Sequence, residues 1–205
     1  SDLGGFGQVD QEMDNHLRGI LLMLENNGAE IEETCPDLSE LEKTYHTLRG
    51  LMWATAARGL PEEVRCRFKP TLAENTAFGQ SLSIDDIIDA NINRSKIYNR
   101  MIKLFEKYDV LACPTVGCMP HRQSEEWVDN VGGVKLSGYM DWLRFSFLAT
   151  TAGLPSISVP VGLGPRGLPV GLQLIGKPRG EAKLLSAARL IELTVGGPLG
   201  PIDPI

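Results

Sequence analysis

Apolar residues recur every three or four positions along the first part of the chain, the spacing of one face of an α-helix. A helix is predicted to follow Asp10, a good N-cap residue, and to end at Asn27-Gly28, where glycine suits the C-cap. Its apolar face is formed by Val9, Met13, Leu17, Ile20, Leu21 and Leu24. Residues 29–34 then alternate apolar and polar side chains, which predicts a short half-buried strand.

Two further helices are predicted downstream. One begins near Pro36-Asp37 and ends within residues 58–61, where a glycine and a proline occur. Its apolar face is formed by Leu38, Leu41, Tyr45, Leu48 and Met52. The other starts at Ser83-x-x-Asp86, which resembles a capping box, and runs to about Lys107. The mixed composition of residues 61–80 predicts helix and loop between them.

The second half of the chain alternates strand and helix patterns. Strands are predicted where short apolar runs occur, at residues 110–113, 156–161 and 169–175. Helices are predicted at residues 139–151 and 181–193. Residues 116–138 are rich in glycine, proline and polar groups, which predicts a long loop of the kind that often carries function. This order of elements is typical of an α/β protein.

Length and composition are those of an ordinary folded domain. The chain has 205 residues, of which 42% are hydrophobic and 22% charged, and this is enough to bury a core. The net charge is -6 and no block of Lys or Arg occurs, so no nucleic-acid partner is expected. No apolar run approaches the length of a membrane span, so no membrane partner is expected either.

The four cysteines, at positions 35, 66, 113 and 118, show no C-x-x-C spacing. Free thiols in a reducing compartment fit this usage better than a disulfide framework, so a cytoplasmic location is expected. Cys113, Cys118 and His121 lie close in sequence, but common zinc sites do not use their spacing. No metal site is therefore predicted.

Two glycine motifs imitate nucleotide-binding signatures. Residues 162–167 read G-x-G-x-x-G, and residues 171–177 read G-x-x-x-x-G-K. The first is followed by a predicted strand rather than a helix, and Pro178 replaces the Ser or Thr that the second would need. No cofactor is predicted.

A self-contained catalytic centre is not found in this chain. Neither a G-x-S-x-G elbow nor an S-x-x-K motif occurs. Cys113 ends a predicted strand, where active sites often lie, but a packed core cysteine is the more frequent outcome. Lys135 and Ser137 are the other candidate pair, for which a solvated loop is the simpler interpretation.

Three segments, in order and at the expected spacing, closely resemble the amidase-signature family. They read Tyr-Asp-Val-Leu-Ala-Cys-Pro-Thr at residues 108–115, Gly-Leu-Pro-Ser-Ile-Ser-Val-Pro-Val-Gly at residues 153–162 and Gly-Leu-Pro-Val-Gly-Leu-Gln-Leu-Ile-Gly at residues 167–176. The Asp2-Leu-Gly-Gly5 segment and the first helix resemble the middle of such enzymes. Thr150 stands where many members have Asn. Residues 1–195 are thus identified as the C-terminal portion of an amidase-signature domain, followed by an extended tail at residues 196–205.

The resemblance implies a mixed β-sheet flanked by helices and the hydrolysis of carboxylic amides through a Ser, Ser and Lys arrangement. In such enzymes those residues lie upstream of the segment matching Asp2, so no catalytic residue is assigned in this chain. The loop after Pro114 and the helix at residues 139–151 are expected to form part of the acyl pocket. Substrate contact is predicted for Thr115, Val116, Trp142 and Phe145. For the last two, a place in the core is the alternative.

The expected partner is a small-molecule amide, bound in the complete enzyme. A divided sheet leaves apolar edges and faces uncovered, so homo-oligomers are also expected. Whether the chain alone is an enzyme is left open, whereas the parent protein is expected to be an amidase. The alternative is a stand-alone binding or assembly protein that reuses the fold without catalysis.

Overall fold

The computed structural model describes residues 2–196. The elements of this part, in chain order, are α1 (Gln11–Asn26), α2 (Leu41–Ala57), α3 (Glu62–Arg65), α4 (Pro70–Ser81), α5 (Ile84–Leu104), β1 (Leu111–Pro114), β2 (Asn130–Val131), β3 (Val134–Lys135), α6 (Tyr139–Trp142), a 3₁₀-helix (Arg144–Ser146), α7 (Phe147–Ala152), β4 (Ser156–Leu163), β5 (Pro169–Ile175) and α8 (Glu181–Thr194). Apart from Gly196, the predicted tail at residues 196–205 lies outside the described residues, and the domain division stays a prediction.

The central sheet contains three strands in the order β1-β5-β4. Both pairings are antiparallel, and their register places Cys113 of β1 and Ser158 of β4 on either side of Gln173 of β5. Three of the four strands predicted from the sequence are confirmed, as is the α/β fold class with its sheet flanked by helices. A small hairpin of β2 and β3 interrupts the predicted long loop.

One face of the central sheet packs against α1 and α8. The buried residues of this layer are Met13, Leu17, Ile20, Leu24, Met119, Val159, Val161, Val170, Leu172, Leu174, Leu184, Ala188 and Ile191. They alternate along β4 and β5, as expected for one face of a sheet, and recur at helical spacing along α1 and α8. The apolar stripe predicted for α1 is therefore the stripe that covers the sheet.

The opposite face packs against α2, α5 and α7. The strand residues Leu111, Cys113 and Ile175 belong to this second layer. Its helical members include Leu41, Tyr45, Ile97, Met101, Phe147 and Leu148. The ring of Tyr45 stacks on that of Phe147, with centroids 3.7 Å apart. The two layers bury most of β5 and of β1 on both sides, whereas on the second face the β4 residues Ser156, Ser158 and Pro160 stay exposed.

The helices α1, α2, α5 and α8 follow the sequence predictions, with a local correction at α2. The capping box before α5 is confirmed: Asp86 N donates to Ser83 Oγ and Ser83 N donates to Asp86 Oδ2, both at 3.1 Å. α2 begins at Leu41 rather than near Pro36, and its predicted apolar position Met52 is 51% exposed.

The strand predicted for residues 29–34 is wrong. This segment has no regular secondary structure and pairs with no strand in the described part of the chain. Glu32 forms an ion pair with Lys107, and Glu33 lies 3.7 Å from Arg18. The acidic residues of this segment therefore form ion pairs at the surface, and its backbone takes part in no strand ladder.

The single helix predicted for residues 139–151 is also wrong in one respect. It is divided into α6, the 3₁₀-helix and α7. Ser146 donates to the carbonyl oxygen of Leu143 through both its backbone N–H, at 2.9 Å, and its hydroxyl, at 2.7 Å. These bonds to the residue three positions earlier tighten the turn, as in a 3₁₀-helix.

Candidate substrate-binding site

Two hydroxyl groups meet on the open part of the second face of the central sheet. Thr115 follows β1, Ser158 lies on β4, and their side-chain oxygens are 2.9 Å apart. The strand between them contributes Gly171, where a Cβ would lie 2.6 Å from Ser158 Oγ and 2.9 Å from Thr115 Oγ1. Because glycine has no side chain, it leaves the space in which the two hydroxyls meet. Thr115 is partly exposed and Ser158 is exposed, so a ligand can reach the pair.

The hydroxyl pair has hydrogen-bonding capacity left over. Thr115 and Ser158 share one hydrogen bond, in which either oxygen can be the donor. The second hydroxyl hydrogen and the remaining lone pairs are then available to a third group. An amide group suits this arrangement because it offers both a donor and an acceptor. A carbonyl group, which offers an acceptor alone, suits it as well. The pair can bind and orient such a group, but it contains no base that could activate a nucleophile.

Phe145 lies behind the loop that carries Thr115 and Val116. Its side chain is 2% exposed, and a Cβ at Gly7 would overlap its ring. A Cβ at Gly117 would lie 3.3 Å from the ring atom Cε2 and would overlap the carbonyl oxygen of Gln8. Glycine at these two positions allows the N-terminal segment, the loop and the Phe145 ring to pack in direct contact.

Asp10, the residue before α1, forms hydrogen bonds that hold the same loop. Its backbone N–H donates to the carbonyl oxygen of Gly117 at 2.7 Å, and its carboxylate accepts a hydrogen bond from the backbone N–H of Gly132. Gly132 and Gly133 both have positive φ angles, +61° and +80°, as a tight hairpin turn between β2 and β3 requires. The residue predicted as the N-cap of α1 thus also connects the loop with the hairpin.

Trp142 occupies a separate apolar cluster. It packs with Trp127 and Val128 against the buried side chains of Cys118, Val131 and Leu136. Its ring also meets that of His121 edge to face, with centroids 5.1 Å apart. This cluster joins α6 to the β2–β3 hairpin.

The four residues predicted to contact substrate therefore lie at different depths. Thr115 joins the hydroxyl pair, and Val116 is its partly buried neighbour in the loop. Phe145 lies in the core behind them, and Trp142 lies in the hairpin cluster. Their contact with substrate stays a prediction.

Sequence reasoning missed Ser158, Gly171 and Gln173. Gln173 is 8% exposed, and its Nε2 donates to the carbonyl oxygen of Phe145 at 2.8 Å and to Cys113 Sγ at 3.2 Å. A signal was present, because alternate residues of a strand share a face. Ser156 and Ser158 place hydroxyls on one face of β4, and Gly171 and Gln173 occupy one face of β5.

The two alternative nucleophiles lack the setting that they would need. Cys113 is 2% exposed, and burial raises the pKa of its thiol to about 12. A reactive cysteine requires a lowered pKa and access to solvent. Ser137 donates its hydroxyl hydrogen to the Asp141 carboxylate, and Lys135 is exposed on β3. Among residues 2–196, no three His, Cys, Asp or Glu side chains are grouped so that they could hold a metal ion.

The comparison with known proteins identifies the family of the chain. The sequence profile of the amidase family matches residues 5–185, and this chain belongs to that family. The resemblance to amidase-signature hydrolases is thereby confirmed, and the stand-alone binding protein is not favoured.

Individual relatives fit the same assignment. The chain is 33% identical over 199 residues to a fatty acid amide hydrolase of Oryza sativa subsp. indica, covering 89% of this chain and 30% of that protein. A crystal structure of an amidase matches with a TM-score of 0.83 at 22% identity, covering 93% of this chain and 43% of the other. A bacterial aryl acylamidase of the amidase-signature family matches with a TM-score of 0.77 at 20% identity, covering 95% and 44%. The chain thus spans less than half the length of each of these proteins.

No helix within residues 2–196 is both long enough and apolar enough to cross a membrane.

Proposed function

We propose that this chain forms the C-terminal part of an enzyme that hydrolyses carboxylic amides, and that the Thr115–Ser158 pair lies against the acyl part of the substrate. The observation that carries the proposal is the accessible hydroxyl pair over Gly171, in a chain that belongs to the amidase family. The nucleophilic serine, the second serine and the lysine come from the rest of the polypeptide in this proposal. Those groups break the C–N bond, and this chain supplies one wall of the acyl site.

Two of the three named proteins suggest substrate classes. One is a fatty acid amide hydrolase and the other an aryl acylamidase. The partner that we propose is therefore a small-molecule amide, either a long-chain fatty amide or an aryl acylamide. We place the complete enzyme in the cytoplasm, because all four cysteines are free thiols.

The test is hydrolysis by the complete polypeptide of a long-chain fatty amide and of an aryl acylamide with a short acyl group, measured as release of the amine product. Thr115→Val removes a hydroxyl and keeps the shape of the side chain, and Ser158→Ala does the same on β4. We expect either change to raise KM roughly 2- to 10-fold, the effect of losing one neutral hydrogen bond.

The matched control is Thr34→Val, in the exposed segment before α2. It should leave KM unchanged. Absence of amide hydrolysis by the wild-type polypeptide would contradict the proposed function. Unchanged KM values in both hydroxyl variants would show that the pair does not face the substrate.

A further inference from the structure

Gln173 is the one buried amide side chain on the second face of the central sheet within residues 2–196. Its neighbours on this face are the apolar residues Leu111, Cys113 and Ile175 and, on β4, Ser158. A leucine or methionine would fill such a site without the cost of burying a polar group, which is large unless the group is hydrogen-bonded. The amide is therefore placed here for its hydrogen bonds.

Both hydrogens of the Gln173 amide have an acceptor. Nε2 donates to the carbonyl oxygen of Phe145 at 2.8 Å and to Cys113 Sγ at 3.2 Å. The first bond connects the middle strand of the sheet to the 3₁₀-helix, and the second connects it to β1. Because an NH₂ group has only two hydrogens, both donors of this side chain are committed.

The bond to Phe145 reaches the candidate site through packing. Phe145 holds its ring against Gly7 and Gly117, and Gly117 belongs to the loop that begins with Thr115 and Val116. On the same face of β5, two residues before Gln173, Gly171 provides the space for the hydroxyl pair. One face of one strand thus positions both the hydroxyl pair and the aromatic residue behind the loop.

We infer that Gln173 is a positioning residue, which fixes the 3₁₀-helix and the loop at residues 115–118 as a rigid wall of the substrate-binding site. The part of this inference that concerns substrate rests on the proposed function. The part that concerns rigidity does not, because it follows from the two hydrogen bonds and the Phe145 contacts alone.

The first test is backbone hydrogen exchange in the complete polypeptide, comparing the wild type with Gln173→Met. Methionine keeps the length of the side chain and loses both donors. We expect amides within residues 144–148 and 115–118 to exchange roughly fivefold faster or more, because their local opening becomes easier. In Gln173→Asn the side chain is too short to reach Phe145, so this variant should give the same exchange pattern. It replaces Gln173→Met in the test if the methionine variant does not fold.

The control is Leu172→Val, which removes a buried methylene group from the opposite face of the same strand. It lowers global stability without touching the Phe145 bond. Equal exchange rates in the two segments for the Gln173 and Leu172 variants would overturn the inference, since Gln173 would then act only through stability.

The second test separates positioning from the proposed function. In the Gln173 variants, the ratio of kcat/KM between the fatty amide and the aryl acylamide should change roughly tenfold, mainly through KM, because a displaced wall alters the fit of a long relative to a short acyl group. In Leu172→Val the ratio should stay that of the wild type. Altered exchange with an unchanged ratio would overturn the role in substrate fit. A wild type that cleaves no amide would refute the proposed function, and the exchange result would still decide the rigidity.

Discussion

Gly79 lies where α4 crosses α2. A Cβ at this position would overlap the carbonyl oxygen of Gly50 and lie 2.9 Å from the Cβ of Ala54. These atoms belong to the helix backbone and to a short side chain, which cannot rotate out of the way. We therefore expect Gly79→Ala to lower the free energy of unfolding by about 2 kcal/mol, the usual cost of overpacking a tight contact. Urea denaturation of the purified chain measures this.

Gly19 is the matched control for that substitution. It is an exposed residue of α1, and a Cβ there would meet no atom within 4 Å. Gly19→Ala should raise the free energy of unfolding by about 0.5–1 kcal/mol, because alanine has the higher helix propensity. If both substitutions shifted stability in the same direction, the helix crossing would not be the reason for the glycine at position 79.

The candidate site could be predicted in part from single residues. Thr115 was found because a strand followed by Pro-Thr resembles a family segment. Ser158 and Gln173 were not found, because their roles depend on which strands are neighbours and on the register of their pairing. For Phe145, substrate contact was predicted with a place in the core as the alternative; its ring lies in the core, and its contact with substrate stays a prediction. Sequence spacing shows that an aromatic residue is inward-facing, but not how many layers separate it from a pocket.

At the scale of elements, Arg100 of α5 holds the start of α2. It donates to the carboxylate of Glu40 at 2.7 Å and to the backbone carbonyl oxygen of Asp37 at 3.0 Å. The hydrogen bond from Arg100, with a second from Ser39, lowers the pKa of Glu40 from 4.5 to about 2. A carboxylate with a depressed pKa in the folded state stabilises the fold above its unfolded pKa and loses that contribution as the pH falls.

We therefore expect the free energy of unfolding of Arg100→Met to depend less on pH in the acid range than that of the wild type. Between about pH 5 and pH 2, the variant should lose about 0.5–1 kcal/mol less stability than the wild type, a value limited by solvent screening of the pair. Urea denaturation at several pH values gives both curves. Arg65→Met, which removes a partner of Glu62 within α3, is the control and should follow the wild-type slope. Parallel curves for Arg100→Met and wild type would contradict the role of Glu40.

The sequence predicted elements well where signals of different kinds agree. α5 combines a capping box with a long periodic stretch, and β5 combines an apolar run with glycine and proline at its boundaries. Residues 29–34 show that a single signal is not enough to predict an element. Their alternation of apolar and charged side chains fits a strand, yet Lys107 and Arg18 satisfy the charges and no neighbouring strand is supplied within residues 2–196. Strand formation needs a partner, which local sequence does not reveal.

At the scale of the whole molecule, two helices carry large apolar side chains on their outer faces. α5 exposes Ile84, Ile88 and Ile92, which are spaced by four residues and so form one stripe. The first of these is 77% exposed. α8 exposes Leu185, Leu190 and Leu193. Contiguous apolar surface of this kind on a folded domain favours association with other protein surfaces.

We therefore expect the 205-residue chain, purified by itself, to form dimers or larger species at micromolar concentration. Burying the stripe on α5 against a second copy removes it from water, and the gain grows with the apolar area covered. Light scattering coupled to size-exclusion chromatography measures the mass directly. Ile84→Lys combined with Ile88→Lys should shift the population toward monomer, whereas Leu22→Lys, on the exposed side of α1, should not. A wild-type chain that is monomeric under these conditions would contradict the prediction, because its exposed apolar faces would then be stable in water without a partner.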